Sequence, residues 1–142
     1  MLLMASYKLL CLHGSEQNAE IFRTKIGRFP HKAQRANIQI TYLNAPHIVP
    51  LRPGDEVPLR TWYLREEGGK IRKETIEESL SFLEKAWKDG NFDGILGFSQ
   101  GGIPTYSFFI LTHDPSNHLP SYCPIRSNGS CDGEYATTIS KD

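Results

Sequence analysis

The chain has 142 residues, 39% of them hydrophobic and 23% charged, and its 16 Lys+Arg are balanced by 16 Asp+Glu. This length predicts one domain. Zero net charge argues against a protein that binds nucleic acid or an anionic membrane through a basic surface, and no apolar run approaches the roughly 20 residues of a membrane span.

The start of the chain and its cysteines bear on where the protein resides. No basic segment followed by a cleavage site indicates a signal peptide. The cysteines are odd in number and lack the spacing of a metal site; they are Cys11, Cys123 and Cys131. Together these features predict a cytoplasmic location, with a nuclear one left open, and no metal or other cofactor.

Strands and helices alternate along the first half of the chain. The mostly apolar residues 7–12 predict a buried strand that ends at His13 and Gly14. Residues 18–29 carry apolar side chains on one helical face, and Pro30 is expected to end that helix. Residues 37–43 alternate in polarity and predict a second strand.

The next segments continue this alternation. Residues 44–60 hold four prolines and predict a long irregular loop. Residues 75–89 predict the clearest helix, with Thr75 and Glu78 as a capping box and Gly90 just past its end. Residues 92–98 predict a third strand, and an apolar stretch over 103–111 predicts a further helix.

This order predicts an α/β fold with a doubly wound, mostly parallel sheet and helices on both faces. Beyond Thr112 the periodic pattern ends and turn-forming residues prevail. The chain is therefore divided into a folded part over residues 1–112 and an irregular tail over residues 113–142.

One motif carries the clearest chemistry. Gly97, Ser99 and Gly101 form a G-x-S-x-G between the third strand and the helix after it. In a nucleophile elbow this spacing holds a serine out on a strained turn, and the glycines let chain segments pass closely. We therefore expect Ser99 to be a catalytic nucleophile and the backbone N–H of Gln100 to donate to an oxyanion.

A second motif follows the first strand. In serine hydrolases built on such a sheet, a second oxyanion donor comes from a loop after an early strand, often marked by His-Gly. Here His13 and Gly14 occupy that place, so the backbone N–H of Ser15 is the expected donor. Loss of one such donor costs about 2.7–4 kcal/mol of transition-state stabilisation.

Other interpretations of these residues stay open at this point. The glycines around Ser99 also suit a phosphate-binding turn, although neither G-x-x-x-x-G-K-[ST] nor G-x-G-x-x-G occurs. His13 can shape its loop through hydrogen bonds rather than transfer a proton. Trp62 and Tyr63 can line a site or belong to the core.

Several segments in register resemble the FSH family of serine hydrolases. They are residues 10–18, 21–27, 45–50, 62–63, 77–80 and 92–101. The resemblance implies a partial α/β-hydrolase fold and hydrolysis of a small carboxylic ester through an acyl-enzyme. It also implies Ser99 as nucleophile and the amides of Ser15 and Gln100 as the oxyanion hole.

The rest of a catalytic triad is not evident. In this fold an Asp and then a His follow the nucleophile, on separate loops. After Ser99 the histidines are His113 and His118; Asp114 lies too close to His118, and no His follows Asp132. We therefore expect the front part of such a hydrolase, with a truncated or foreign end, no assigned triad Asp or His, and impaired activity.

The alternative is a catalytically inactive α/β-hydrolase-like module that binds a partner or dimerises. We further expect the sheet to end on the third strand, which would leave an open edge and favour self-association.

Overall fold

Three segments form a parallel sheet in the computed structural model, which describes residues 6–112. The strands are β1 (Tyr7–Leu12), β2 (Ile38–Leu43) and β5 (Gly94–Gly97), in the order β2-β1-β5. Leu12 pairs with Leu43 on one side and with Gly97 on the other, so the carboxyl ends of all three strands meet at one edge. This architecture confirms the α/β fold class and the mostly parallel sheet.

The first helical segment differs from its prediction. Two helices, α1 (Ala19–Lys25) and α2 (Phe29–Arg35), replace one helix ended by Pro30. The Asn18 side chain caps α1 by accepting from the Ile21 N–H at 2.8 Å. Between the helices Gly27 adopts a φ of +60°. Pro30 begins α2 rather than ending α1, because the missing N–H of proline is unpaired in a first helical turn anyway.

The proline-rich segment is also more ordered than predicted. Two short strands, β3 (His47–Val49) and β4 (Leu59–Thr61), pair in antiparallel register and form a separate two-stranded sheet. Three of the four prolines, Pro46, Pro50 and Pro58, directly flank the strands and Pro53 lies in the connection, so none of them occupies a strand position that would need an N–H. The predicted irregular loop is therefore a hairpin.

The long helix α3 spans Lys73–Gly90, and both predicted ends were wrong. Its N-cap is Arg72, so Thr75 lies inside the first turn, where its hydroxyl donates to the Arg72 carbonyl at 2.6 Å. At the other end Asn91, not Gly90, takes the left-handed conformation, with a φ of 49°. Gly90 is required for another reason, since a Cβ there would lie 2.1 Å from the Phe92 ring.

The hydrophobic core lies between the parallel sheet and the helices α3 and α4 (Gly102–Thr112). Its buried members are Leu10, Leu12, Ala45, Trp62, Leu83, Phe92, Ile95 and Phe108. Within residues 6–112, no helix is long and apolar enough to cross a membrane. The predicted irregular tail over residues 113–142 lies outside the described residues.

Candidate active site

Ser99 lies at the sharp turn between β5 and α4. A short 3-10 turn, Ser99–Gly101, joins the strand to the helix. Ser99 is exposed while Gln100 and Gly101 are buried. Its φ is 52°, in the left-handed region that a non-glycine residue seldom adopts. Backbone strain of this kind concentrates at functional sites, where the surrounding structure enforces it.

The two motif glycines allow this turn to form. A Cβ at Gly97 would lie 2.3 Å from both the Gly101 carbonyl oxygen and the Thr105 Oγ1. A Cβ at Gly101 would lie 2.6 Å from the carbonyl oxygen of His13. Both positions therefore exclude a side chain, and the turn packs directly on the chain that leaves β1.

The loop that carries Ser15 adjoins the same turn. The Phe98 N–H donates to the Leu12 carbonyl at 3.0 Å, and a Cβ at Gly14 would lie 3.0 Å from the Phe98 ring. The Gly14 N–H donates to the Gln17 side chain at 3.0 Å, so this amide is already engaged. The Ser15 amide comes next in the chain, at the edge of the sheet where Ser99 lies.

His13 is fully buried and holds this loop in place. Its Nε2 accepts from the Ala45 N–H at 3.0 Å, and its Nδ1 lies 2.7 Å from the Gly14 carbonyl oxygen, to which it can only donate. These bonds fix a neutral ring with the proton on Nδ1. Burial, the largest influence, lowers the pKa of His13. With both nitrogens engaged by backbone groups, His13 supports the loop and has no atom left for proton transfer.

This arrangement predicts an acid-sensitive fold. A second proton on His13 would place an Nε2–H against the Ala45 N–H. Burial keeps the pKa of His13 in the folded chain below the ordinary value of 6.5. The unfolded chain thus binds this proton at higher pH than the folded chain does. The free energy of unfolding should hold above about pH 6.5 and fall as the pH drops from there through the lowered pKa.

Urea unfolding at several pH values between about 7.5 and 5 measures this effect. The His13→Gln variant should show a flatter pH dependence over this range. His31→Gln, at an exposed position on α2, serves as the control and should keep the wild-type slope. An unchanged slope in His13→Gln would contradict the assignment.

Trp62 and Gln100 connect the two loops in a way that the sequence did not indicate. The buried indole of Trp62 donates to the His13 carbonyl at 2.8 Å. The Trp62 backbone N–H donates to the Gln100 Oε1 at 2.9 Å. Trp62 therefore belongs to the core and also touches both segments of the candidate site. The only sequence signal was the Trp62-Tyr63 pair, which fitted a core role equally well.

The remaining histidines of residues 6–112 do not complete a triad. His47 on β3 lies 3.0 Å from the Thr75 carbonyl oxygen and 3.5 Å from the Glu78 carboxylate. His31 is exposed on α2. His113 and His118 lie outside the described residues. In the part of the chain that the structure describes, no group of three His, Cys, Asp or Glu side chains could hold a metal.

Comparison with known proteins places these features in a family. Residues 3–122 match the serine hydrolase (FSH1) family. Human esterase OVCA2 is 33% identical, over 87% of this chain and 64% of that protein. The fungal hydrolase phiM is 32% identical, over 89% of this chain and 57% of that protein. An Aedes aegypti esterase is 34% identical over 66% of this chain.

The chain spans only part of these relatives. It covers 38% of the length of the mosquito esterase and 37% of a Drosophila melanogaster esterase. The family match runs to residue 122, beyond the motif around Ser99.

Proposed function

Because the chain belongs to the FSH1 family of serine hydrolases, we propose that Ser99 is the nucleophile of an enzyme that cleaves carboxylic esters. The observation that carries this proposal is the conformation of Ser99. Its φ of 52° and its exposed position at the strand-to-helix turn support its assignment to a nucleophile elbow. The relatives named as esterases support the carboxylic ester as the substrate class.

The chemistry follows from this geometry. The Ser99 Oγ attacks the ester carbonyl carbon and forms a tetrahedral intermediate, whose oxyanion accepts from the N–H groups of Ser15 and Gln100. The Ser99 hydroxyl loses its proton as it attacks; collapse then breaks the bond to the alcohol oxygen, which takes up a proton and leaves, and an acyl-enzyme remains. Water then attacks the acyl carbon and gives up a proton, the bond to Ser99 Oγ breaks, Oγ regains a proton and the acid is released. The mechanism requires a small-molecule ester and no cofactor.

A serine hydroxyl is a weak nucleophile until a positioned base takes its proton. Within residues 6–112, His13 is hydrogen-bonded to the loops of this site, and both of its ring nitrogens are engaged by Gly14 and Ala45. After Ser99 the sequence offers His113 and His118, with Asp114 four residues before the latter. The 142-residue polypeptide is therefore impaired as an esterase in this account.

A second candidate function is an inactive α/β-hydrolase-like module that binds a partner. The observation in its favour is the same full engagement of His13 by backbone groups. The two functions differ in whether Ser99 retains any chemical reactivity beyond that of an ordinary exposed serine.

Reaction with a fluorophosphonate in large excess separates them. The Ser99 Oγ would form a bond to phosphorus, fluoride would leave and the hydroxyl proton would pass to solvent. The N–H groups of Ser15 and Gln100 would still stabilise the negative charge that develops on the phosphonyl oxygen, even without a complete triad. Peptide mapping after long incubation should therefore find the phosphonyl group on Ser99, attached slowly.

The controls are two alanine variants. Ser99→Ala should abolish the labelled peptide, and Ser81→Ala, which removes an exposed serine on α3, should leave it unchanged. Ser15→Ala should also retain labelling, because it keeps the backbone N–H. If the phosphonyl group attaches to Ser99 no faster than to Ser81 in the folded wild type, the result would favour the inactive module.

A further inference from the structure

Trp62 makes two hydrogen bonds that end on different segments of the candidate site. Its indole N–H reaches the carbonyl of His13, the peptide that leads to Gly14. Its backbone N–H reaches the side chain of Gln100, the residue after Ser99. The Trp62 side chain is fully buried, so both bonds lie where water does not compete for the donors.

Gln100 is held at the same oxygen by a second donor. Thr61 Oγ1 lies 2.8 Å from Gln100 Oε1 and 2.9 Å from the Tyr63 carbonyl oxygen, so its single proton is shared between these two acceptors. The Trp62 N–H donates to the same Gln100 Oε1 at 2.9 Å. Gln100 is 9% exposed and Thr61 is 4% exposed. One buried amide oxygen therefore connects the turn of Ser99 to the end of the hairpin strand β4.

The segment that holds both loops is itself anchored on α3. The Ser79 hydroxyl donates to the Trp62 carbonyl at 2.5 Å. The Thr75 hydroxyl accepts from the Leu64 N–H at 3.0 Å. Both side chains are almost completely buried in the first two turns of the helix. A continuous set of hydrogen bonds therefore runs from α3 through residues 61–64 to the two loops of the site.

From this geometry we infer that Trp62 is a positioning residue, whose indole N–H and backbone N–H set the relative placement of the two oxyanion donors, Ser15 and Gln100. The inference rests on the proposed function for its catalytic meaning. Trp62 touches neither substrate nor reacting atoms in this account. It acts through His13 and through the Gln100 side chain.

Trp62→Phe tests the indole bond while it keeps a large aromatic ring in the core. Loss of one hydrogen bond should raise the hydrogen exchange rates of the Gly14 and Ala45 amides by about tenfold. The Gly14 N–H donates to Gln17 within the loop, and the Ala45 N–H donates to the His13 ring that supports the loop. Trp87→Phe is the matched control, because Trp87 packs on Phe92 and Phe108 at another part of the core. Trp87→Phe should leave the exchange rates of the Gly14 and Ala45 amides within about twofold of the wild-type rates.

A chemical readout separates positioning from simple core packing. The rate of Ser99 phosphonylation, measured well below the melting temperature, should fall about fivefold or more in Trp62→Phe and stay unchanged in Trp87→Phe. Equal effects of the two variants on exchange and on labelling would overturn the inference. Wild-type Ser99 that is not labelled at all would overturn the proposed function instead, and the exchange rates would still decide whether Trp62 orders the loop.

Gln100 provides a second pair of variants, which applies even where Trp62→Phe does not fold. Gln100→Met removes the acceptor and should accelerate exchange of the Trp62 amide by about tenfold. Gln100→Glu keeps an acceptor oxygen at the same position and should restore most of that protection. Identical Trp62 exchange in wild type and Gln100→Met would overturn the inference.

Discussion

The purified 142-residue chain should hydrolyse short p-nitrophenyl esters little faster than the uncatalysed background. The reason is that no histidine of residues 6–112 completes a triad with Ser99, and His13 among them is buried and hydrogen-bonded on both sides. Loss of the catalytic histidine in subtilisin lowers kcat by about 2 × 10⁶, which shows the size of the effect. A spectrophotometric assay against a protein-free blank measures the rate.

Two alanine variants, Ser99→Ala and His118→Ala, test this expectation. Ser99→Ala should change the rate by less than about tenfold, because little activated serine is present to lose. His118→Ala should also change the hydrolysis rate by less than about tenfold. A high wild-type rate that both substitutions abolish would contradict the account and would make His118 the base of an unusual triad.

Gly97→Ala should have the largest effect on stability. The added methyl group would lie 2.3 Å from the Gly101 carbonyl oxygen and 2.3 Å from Thr105 Oγ1, and the former is backbone that cannot rotate away. Overpacking of this severity should lower the free energy of unfolding by about 3 kcal/mol. Urea unfolding followed by circular dichroism measures the loss.

Gly27→Asn is the comparison for Gly97→Ala. Gly27 has a φ of +60°, and apart from its chain neighbours no atom of the described residues lies within 4 Å of where its Cβ would be. Asn tolerates the left-handed conformation, so this variant should cost less than about 1 kcal/mol. Equal losses in the two variants would show that the turn around Ser99 relaxes easily, contrary to the packing described above.

The parallel sheet could be predicted because its strands have local signatures. The bounds of β1 match the apolar run over residues 7–12, and β2 begins one residue inside its predicted segment. Alternation of strands with helices then required parallel pairing, which the register of β1 with its two neighbours shows. Each of these inferences used residues close together in the chain.

The errors arose where one residue type suits two local structures. Pro30 can follow a helix or begin one, and its place in α2 was decided by the left-handed turn at Gly27. The four prolines of residues 44–60 suggested an irregular loop, but they lie outside β3 and β4, so the hairpin between them was not predicted. Thr75 resembled a cap, but its hydroxyl bonds Arg72 and Leu64 from inside the helix.

In the candidate site, too, local features could be predicted from the sequence and long-range contacts could not. The place of Ser99 on a strand-to-helix turn followed from a five-residue motif. The hydrogen bonds that hold the turn join Trp62 to His13 and to Gln100, which are 49 and 38 positions away in the chain. No spacing rule predicts such contacts, since they depend on where the hairpin packs.

The oxyanion hole can be observed in a crystal structure of the chain phosphonylated at Ser99. We expect one phosphonyl oxygen to lie about 2.7–3.1 Å from the backbone nitrogens of both Ser15 and Gln100. We also expect Ser99 to keep its positive φ, now 52°. A phosphonyl oxygen that points into solvent and contacts neither amide would contradict the proposed oxyanion hole and, with it, the assignment of Ser99 as a catalytic nucleophile.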